Sequence, residues 1–133
     1  MELIDHQLLD EISLKAKGSE RLRMNYNFHT SADAPSQRLL NALEPGTVVP
    51  IHRHQHTPET YLLLRGRMRV SYYDANGVCT ESVELNPLDG RFGVNIPLGQ
   101  WHSVDVLEAG SVLLECKDGP YAPLGPEDIL SAD

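Results

Sequence analysis

Three residues with metal-ligating side chains lie close together in the middle of the chain. His52 and His54 are two residues apart, so on a β-strand their side chains point to the same face. Glu59 follows a short turn marked by Thr57 and Pro58, and the next strand can carry it to the same interior. Neutral imidazole together with carboxylate suits Zn, Fe, Mn, Ni or Cu in an open site. The spacing therefore predicts one divalent transition-metal ion per chain.

A fourth ligand is available further along the chain. His102 follows a turn marked by Pro97 and Gly99 and begins a β-rich run, so a strand can bring it to the same interior. His56 is the ambiguous histidine, because it shares the parity of the first pair but lies at the turn. We expect His56 to be exposed, and the alternatives are an additional ligand or a place beside the site.

Two stretches match the sequence motifs of the cupin family. Residues 46–66 match G-x5-H-x-H-x4-E-x6-G at every specified position, and residues 97–102 match the P-x-G-x2-H part of the second motif. The second motif is broken twice, since Arg91 stands where its leading glycine is expected and Val106 where its final asparagine is expected. Neither is a ligand position. The resemblance implies the ligand set His52, His54, Glu59 and His102.

Most of the first 70 residues also resemble the WbuC-type cupins. The resemblance rests on an N-terminal helix, the stretch 21–29 (R-x-R-x-N-x-N-x-H), the stretch 37–47 (QRLLNALEPGT) and the histidine pair. Such proteins are cupin-fold metalloproteins, and some are encoded among surface-polysaccharide genes. The resemblance therefore implies a cupin fold, a bound metal and sugar chemistry, but it supplies no reaction.

The composition is that of a soluble domain with an acidic balance. The 133 residues are enough for one domain with a single core, and the formal net charge is -8. That charge argues against nucleic acid and against an anionic membrane surface as partners. We expect a cytoplasmic protein, because no leader pattern and no long apolar run is present. Cys79 and Cys116 form no C-x-x-C pair and are expected to be buried free thiols.

The pattern of apolar residues predicts one short helix followed by many strands. Residues 5–17 are predicted to form the helix, because their apolar side chains fall on one face. Asp5 is the expected N-cap, and Gly18 is expected to end the helix. The predicted strands are 21–29, 38–44, 47–51, 60–65, 67–73, 78–84, 91–96, 102–107 and 111–116, with a hairpin at 74–77. Short strands at this spacing favour a β-sandwich or barrel.

Together with the cupin resemblance, these elements predict an all-β fold: a double-stranded β-helix (cupin or jelly-roll barrel) with a short N-terminal helix. We expect a single domain spanning 1–133, in which 1–18 contain the helix, 21–116 form the barrel and 117–133 form an extended tail. The tail is expected to lie along the surface because it is rich in proline.

Strand parity suggests which other side chains surround the metal. The residues that could bind a small molecule beside it are Asn25, Asn27, His29, Arg38, Tyr61 and Arg65. The alternative for the polar residues of 21–29 is a solvated face of an edge strand. Leu62 and Leu64 point away from the ligands and need cover, which the N-terminal helix or a second subunit could supply. We therefore expect a homodimer.

Two functions of different classes are compatible with these residues. The first is a metal-dependent enzyme, such as an isomerase, hydrolase or oxygenase, that acts on a small sugar-derived or anionic metabolite and is linked to surface-polysaccharide biosynthesis. The second is a non-catalytic small-molecule-binding cupin in which the metal anchors the ligand. A metal-free nucleotide-sugar epimerase is disfavoured, because it would not need Glu59 together with three histidines. No catalytic residue beyond the ligands can be assigned.

Overall fold

The computed structural model describes residues 1–130 and contains one α-helix and eight β-strands in that part of the chain. The elements are α1 (His6–Lys17), β1 (Arg23–Asn27), β2 (Ser36–Leu43), β3 (Glu59–Arg65), β4 (Met68–Tyr73), β5 (Cys79–Leu85), β6 (Gly93–Ile96), β7 (Trp101–Val106) and β8 (Ser111–Asp118). Asp5 caps α1 by accepting from the Leu8 N–H, and Gly18 ends it. Among the described residues, no helix is long and apolar enough to cross a membrane.

The strands form two antiparallel sheets. The larger sheet has the order β1-β2-β8-β3-β6, and the smaller one has the order β5-β4-β7. The side chains between the two sheets form the main core, to which both contribute: Leu43, Tyr61, Leu63, Met68, Val70, Leu85, Ile96, Val104 and Leu113. The expected mostly-β fold with one N-terminal helix is confirmed.

A second core lies between helix α1 and the outer face of the larger sheet. The buried helix residues Leu9, Ile12 and Ala16 pack against the sheet residues Leu40, Ala42 and Val112. A helix of this length is marginal in isolation, so this packing is what stabilises it. The apolar residues of β1 also turn to the helix, which leaves its polar residues on the inner face of the sheet.

The predicted strand at 47–51 is not a regular strand. Its contact with β7 is an isolated bridge in which His52 and His102 exchange both backbone hydrogen bonds, at 3.0 and 2.9 Å. The next hydrogen-bonded pair of such a ladder would need the N–H of Pro50, which proline lacks. The ladder is therefore reduced to the one pair that holds two of the candidate ligands side by side.

The predicted extended tail begins later than expected and returns to the rim of the fold. Its first two residues, Lys117 and Asp118, still belong to β8. The chain then comes back, and Ile129 forms a bridge with His52 while the Leu130 N–H bonds the Ile51 carbonyl at 2.8 Å. Residues 131–133 of the predicted tail lie outside the described residues.

Gly66, the last glycine of the first motif, is required by its conformation and by its surroundings. Its φ is +98°, and a Cβ atom placed there would lie 2.1 Å from the Ser111 Oγ. A side chain would therefore be strained and would also displace the start of β8. This glycine ends β3 so that β4 can enter the opposite sheet.

The cysteines differ in part from expectation. Both are free thiols, as predicted, and Cys116 is partly buried in β8. Cys79 is exposed at the start of β5, so the expectation that it is buried was wrong. It lies just after the hairpin, where the smaller sheet has an unpaired edge.

Candidate metal centre

The structure brings the four predicted ligands together at one end of the barrel. His52 lies on the bridged segment, His54 follows it, Glu59 is the first residue of β3 and His102 is the second residue of β7. One ligand atom from each lies within 4.8 Å of all the others. This cluster is a group that could hold one metal ion.

The hydrogen bonds of two imidazoles fix which nitrogen faces the cluster. The Nδ1 of His52 lies 2.8 Å from the Pro50 carbonyl, and the Nδ1 of His102 lies 2.8 Å from the Gln100 carbonyl. Because a carbonyl oxygen can only accept, each Nδ1 carries the hydrogen. In the neutral ring the Nε2 lone pair is then free to bind a metal, which is the usual arrangement around ligating histidines.

Glu59 is a buried carboxylate whose Oε1 accepts no hydrogen bond. Its Oε1 lies 3.0 Å from the His54 Nε2 and 3.3 Å from the His102 Nε2, yet neither contact has the geometry of a hydrogen bond. Burial would raise the pKa of this carboxyl, but the His102 and His54 imidazoles beside it hold the pKa well below its usual range. Glu59 is therefore a carboxylate whose Oε1 lacks a partner, as expected of a ligand.

His52 is kept neutral by its surroundings. Burial, together with the neighbouring His102, lowers the pKa of His52 to about 4. A neutral imidazole is the form that binds metals. The lone-pair Nε2 of His102 and the buried Oε1 of Glu59 repel each other unless a cation lies between them, so the residues fit a divalent metal.

A set of polar contacts from the tail holds the segment that carries the first two histidines. The Arg53 Nε donates to the Asp128 Oδ1 at 3.1 Å, and the Gln55 Nε2 donates to the same oxygen at 2.6 Å. The Arg53 guanidinium also stacks 4.5 Å from the Trp101 ring centroid. We call Arg53, Gln55, Trp101 and Asp128 the clamp, since they connect the histidine segment, β7 and the tail.

Tyr61 is the predicted small-molecule-binding residue that lies nearest to the cluster. It is buried, and its hydroxyl lies 3.3 Å from the His102 Nε2. Burial raises the pKa of Tyr61 well above its usual value, and the negative charges of Glu115 and Glu59 add to the effect. The side chain is therefore a neutral phenol beside the candidate ligands.

Asn25, Asn27 and His29 line a polar cavity of about 390 Å³. The β1–β2 register places Asn25 opposite Asn41, on the face that turns toward the smaller sheet. Whether these three residues bind a small molecule stays a prediction. Sequence reasoning missed the other polar groups of the same cavity, among them Asn41, Glu115 and Lys117. Glu115 and Lys117 alternate with apolar residues in β8, and that was the available indication.

Glu115 is a partly buried carboxyl within this cavity. Its Oε2 accepts a hydrogen bond from the Asn41 Nδ2 at 2.9 Å. Burial and the charge of Glu59 raise the pKa of Glu115, against a smaller lowering by the Asn41 amide. The β3–β8 register places Glu115 opposite Tyr61 and Lys117 opposite Glu59, so the polar cavity and the candidate metal centre are neighbours.

The two predicted arginines do not lie at the cluster. Arg65 bonds Asp10 and Ser13 of helix α1, because a β-bulge between Leu63 and Arg65 breaks the strict alternation of β3. Arg38 shares the outer face of β2 with Leu40 and is exposed. The expectation that Arg65 points inward was therefore wrong. His56 is exposed and lies outside the cluster.

Comparison with solved structures shows a cupin fold. KdgF from Halomonas sp. matches with a TM-score of 0.60 and 16% identity over 75% of this chain and 82% of its own. The cupin domain of Cnp3 from Schizosaccharomyces pombe matches with a TM-score of 0.56 and 11% identity, over 71% of this chain and 59% of its own. At such identities the likeness shows the fold alone.

The capsular polysaccharide assembling protein CapF from Staphylococcus aureus is similar over part of its length. Its TM-score is 0.62 with 21% identity, and 82% of this chain aligns with 31% of that one. This chain therefore spans about a third of CapF. No curated protein matches the chain.

A family model matches residues 4–85, which include α1 and three of the four candidate ligands. This chain is thus a member of the family described as a domain of unknown function (DUF6016).

Proposed function

We propose that this protein is a metal-binding cupin of the WbuC type and an enzyme that acts on a small sugar-derived or anionic metabolite. The observation that carries the proposal is the convergence of three imidazoles and one buried, unpartnered carboxylate oxygen beside a polar cavity. An open three-histidine, one-carboxylate set is typical of sites that also bind a reactant.

Two further observations support a link to surface-polysaccharide biosynthesis. Most of the first 70 residues resemble the WbuC-type cupins, some of which are encoded among surface-polysaccharide genes. A solved structure with a similar fold is that of a capsular polysaccharide assembling protein. The second observation concerns the fold only, so the proposal for the substrate rests mainly on the resemblance and on the polar lining of the cavity.

The residues of the chain prepare the site in three ways. His52, His54, Glu59 and His102 would hold the ion, and when bound it would supply Lewis-acid polarisation of a ligand oxygen or activation of water. The carbonyls of Pro50 and Gln100 orient two of the rings. The neutral hydroxyl of Tyr61 offers a proton donor next to the same point.

The second candidate is a non-catalytic binding protein in which the metal anchors a small molecule. It is favoured by one feature of the site. Apart from the ligands and Tyr61, the described residues place no titratable side chain in direct contact with the cluster. A donor–acceptor cavity beside a metal can bind without catalysing.

Metal analysis tests the site itself. Protein purified without added metal should contain about one transition-metal ion per chain. His54→Ala, His102→Ala and Glu59→Gln should each reduce the metal content strongly, because each removes one ligand. His56→Ala is the matched control, since this exposed histidine lies in the same segment but outside the cluster. Full metal occupancy in the three ligand variants would show that the site is wrongly assigned.

Turnover separates the enzyme from the binding protein. The metal-loaded protein should be incubated with nucleotide sugars and keto acids, and the products should be followed by mass spectrometry. Conversion that disappears in Glu59→Gln would support the enzyme. Stoichiometric binding without conversion of any compound that binds would support the second candidate.

A further inference from the structure

The polar cavity adjoins a second cavity that reaches the candidate metal centre. Lys117 and Tyr121 line it, and the same two residues line a second cavity of about 290 Å³ that reaches His54. In the β3–β8 register Lys117 lies opposite Glu59, so its side chain is on the face that carries this ligand. A molecule in the polar cavity would therefore reach toward the metal position across Lys117.

The lining offers several hydrogen-bonding groups that the fold does not use. Within residues 1–130, the side chains of Asn25 and Asn27 make no hydrogen bond, and both are exposed in the cavity. Asn41 and Glu115 are joined to each other at 2.9 Å, and the Oδ1 of Asn41 is a buried acceptor without a donor. Amides and a carboxyl side by side provide the alternating donors and acceptors that neighbouring hydroxyl groups require.

Lys117 adds a positive charge on the side of the cavity nearest the ligands. Its ammonium group forms no salt bridge with a carboxylate in the part of the chain that the structure describes. Among the described residues that line the cavity, Lys117 is the one lysine or arginine, and the chain around it is acidic with a net charge of -8. It favours a ligand with one anionic group.

We infer that the polar cavity binds a small polyhydroxylated carboxylate, that is, a sugar acid. Its hydroxyl groups bond Asn25, Asn27 and the Asn41–Glu115 pair, and its carboxylate lies at Lys117 and points toward the metal position. A volume of about 390 Å³ lies within the range of small-molecule sites and accommodates one monosaccharide unit. This inference rests on the proposed function and names the substrate class and the residues that select it.

Isothermal titration calorimetry of the metal-loaded full chain tests the inference. The probes are three sugar acids (glucuronate, galacturonate and gluconate), glucose as the uncharged counterpart and succinate as an anion without hydroxyls. At least one sugar acid should bind about 10-fold or more tightly than glucose and than succinate, since only it satisfies both the amides and Lys117.

Variants separate recognition of the carboxylate from recognition of the hydroxyl groups. Lys117→Met should reduce the affinity for the sugar acid to that for glucose, and Asn25→Ala combined with Asn27→Ala should weaken both compounds. Arg38→Met is the control, because Arg38 is an exposed cation on the opposite face of the same sheet. The inference is overturned if no sugar acid binds, if glucose or succinate binds equally well, or if Lys117→Met behaves like Arg38→Met.

The metal content, measured on the same samples, separates this inference from the proposed function. A wild-type protein that takes up no metal but still binds a sugar acid through Lys117 would support the inference and contradict the metal proposal. A metal-loaded protein that binds none of the three sugar acids would do the reverse. None of the three variants removes a candidate metal ligand, so all of them should keep the wild-type metal content.

Discussion

At the scale of single residues, spacing and parity were enough to identify a group of four side chains that the fold brings together. His52 and His54 share a face because they are two apart, and the motif supplied Glu59 and His102. Asn41 lies in the stretch 37–47 but was not recognised as a site residue, Glu115 belongs to no motif, and their contact joins residues 74 positions apart in the chain. Such a pair becomes visible only when the register of β2 and β8 is known.

Parity failed where the backbone was irregular. Strict alternation from Glu59 along β3 would place the Arg65 side chain on the inner face. One extra residue between Leu63 and Arg65 shifts the alternation, so Arg65 lies on the outer face. Its guanidinium then reaches the Gly110 carbonyl and Asp10 on the helix side. A bulge of this kind leaves no mark in the sequence, because it depends on how β3 pairs with β8.

The lowered pKa of His52 predicts how the stability of the metal-free protein depends on pH. In the unfolded chain this histidine takes up a proton near its ordinary pKa of 6.5, whereas in the fold it does so only near pH 4. Between these values the unfolded state binds more protons, so the free energy of unfolding falls as the pH falls. From about pH 7 to about pH 5 the loss due to His52 should be about 2 kcal/mol.

Urea denaturation of metal-free wild type and of His52→Asn at the two pH values measures this contribution. Asparagine retains a donor for the Pro50 carbonyl but does not titrate, so the variant should lose less stability on acidification. Glu59 adds little to this difference, because the stability that its lowered pKa contributes is lost mainly as the pH falls below the ordinary pKa of a carboxyl, and both pH values lie above it. Equal slopes for the two proteins would contradict the assignment of His52 as a buried neutral group.

At the scale of elements, local sequence patterns were enough to locate the helix and most strands. The conformations of the segment before His52 and of the tail depend instead on long-range contacts. The stripe of α1 and its Asp5 cap are local, as is the hairpin between β4 and β5. The segment before His52 looked like a strand, but it pairs with the distant β7 through a single bridge at His52, because Pro50 cannot continue the ladder. The return of the tail to His52 rests on contacts that span about half of the chain, which no local pattern encodes.

The clamp predicts that a residue outside the motif positions the metal ligands. Asp128 accepts from both Arg53 and Gln55, the two residues that alternate with the candidate ligands His52 and His54. Asp128→Ala should therefore weaken metal binding by about 10- to 100-fold, as loss of a supporting contact around metal ligands typically does. Competition with a fluorescent chelator measures this affinity.

Controls separate positioning from a general loss of structure. Glu127→Ala removes the neighbouring carboxylate, whose side chain does not contact the clamp, and should leave the affinity unchanged. Asp128→Asn keeps an acceptor oxygen and should recover part of the affinity. Wild-type affinity in Asp128→Ala, or an equal loss in Glu127→Ala, would show that the clamp does not position the ligands.

At the scale of the whole molecule, the covering of the larger sheet is incomplete. Helix α1 packs on β1, β2 and β8 and reaches Leu64, but Leu62 on the same outer face stays 41% exposed. Phe92, just before the edge strand β6, is 58% exposed. Exposed apolar side chains next to an unpaired strand edge are typical of an interface.

We therefore propose a homodimer formed through this side of the larger sheet. Light scattering at micromolar concentration should give a mass near twice the 14.8 kDa of the chain, and a mass equal to one chain would refute the dimer. Leu62→Glu should dissociate it, because a carboxylate in an apolar interface would have to be desolvated. Leu14→Glu, an exposed leucine on helix α1, is the control and should remain dimeric. The Leu62→Glu variant should also keep the wild-type metal content, since Leu62 faces away from the ligands. If the variant lost both its metal and its dimeric state, the interface would be needed to support the metal centre.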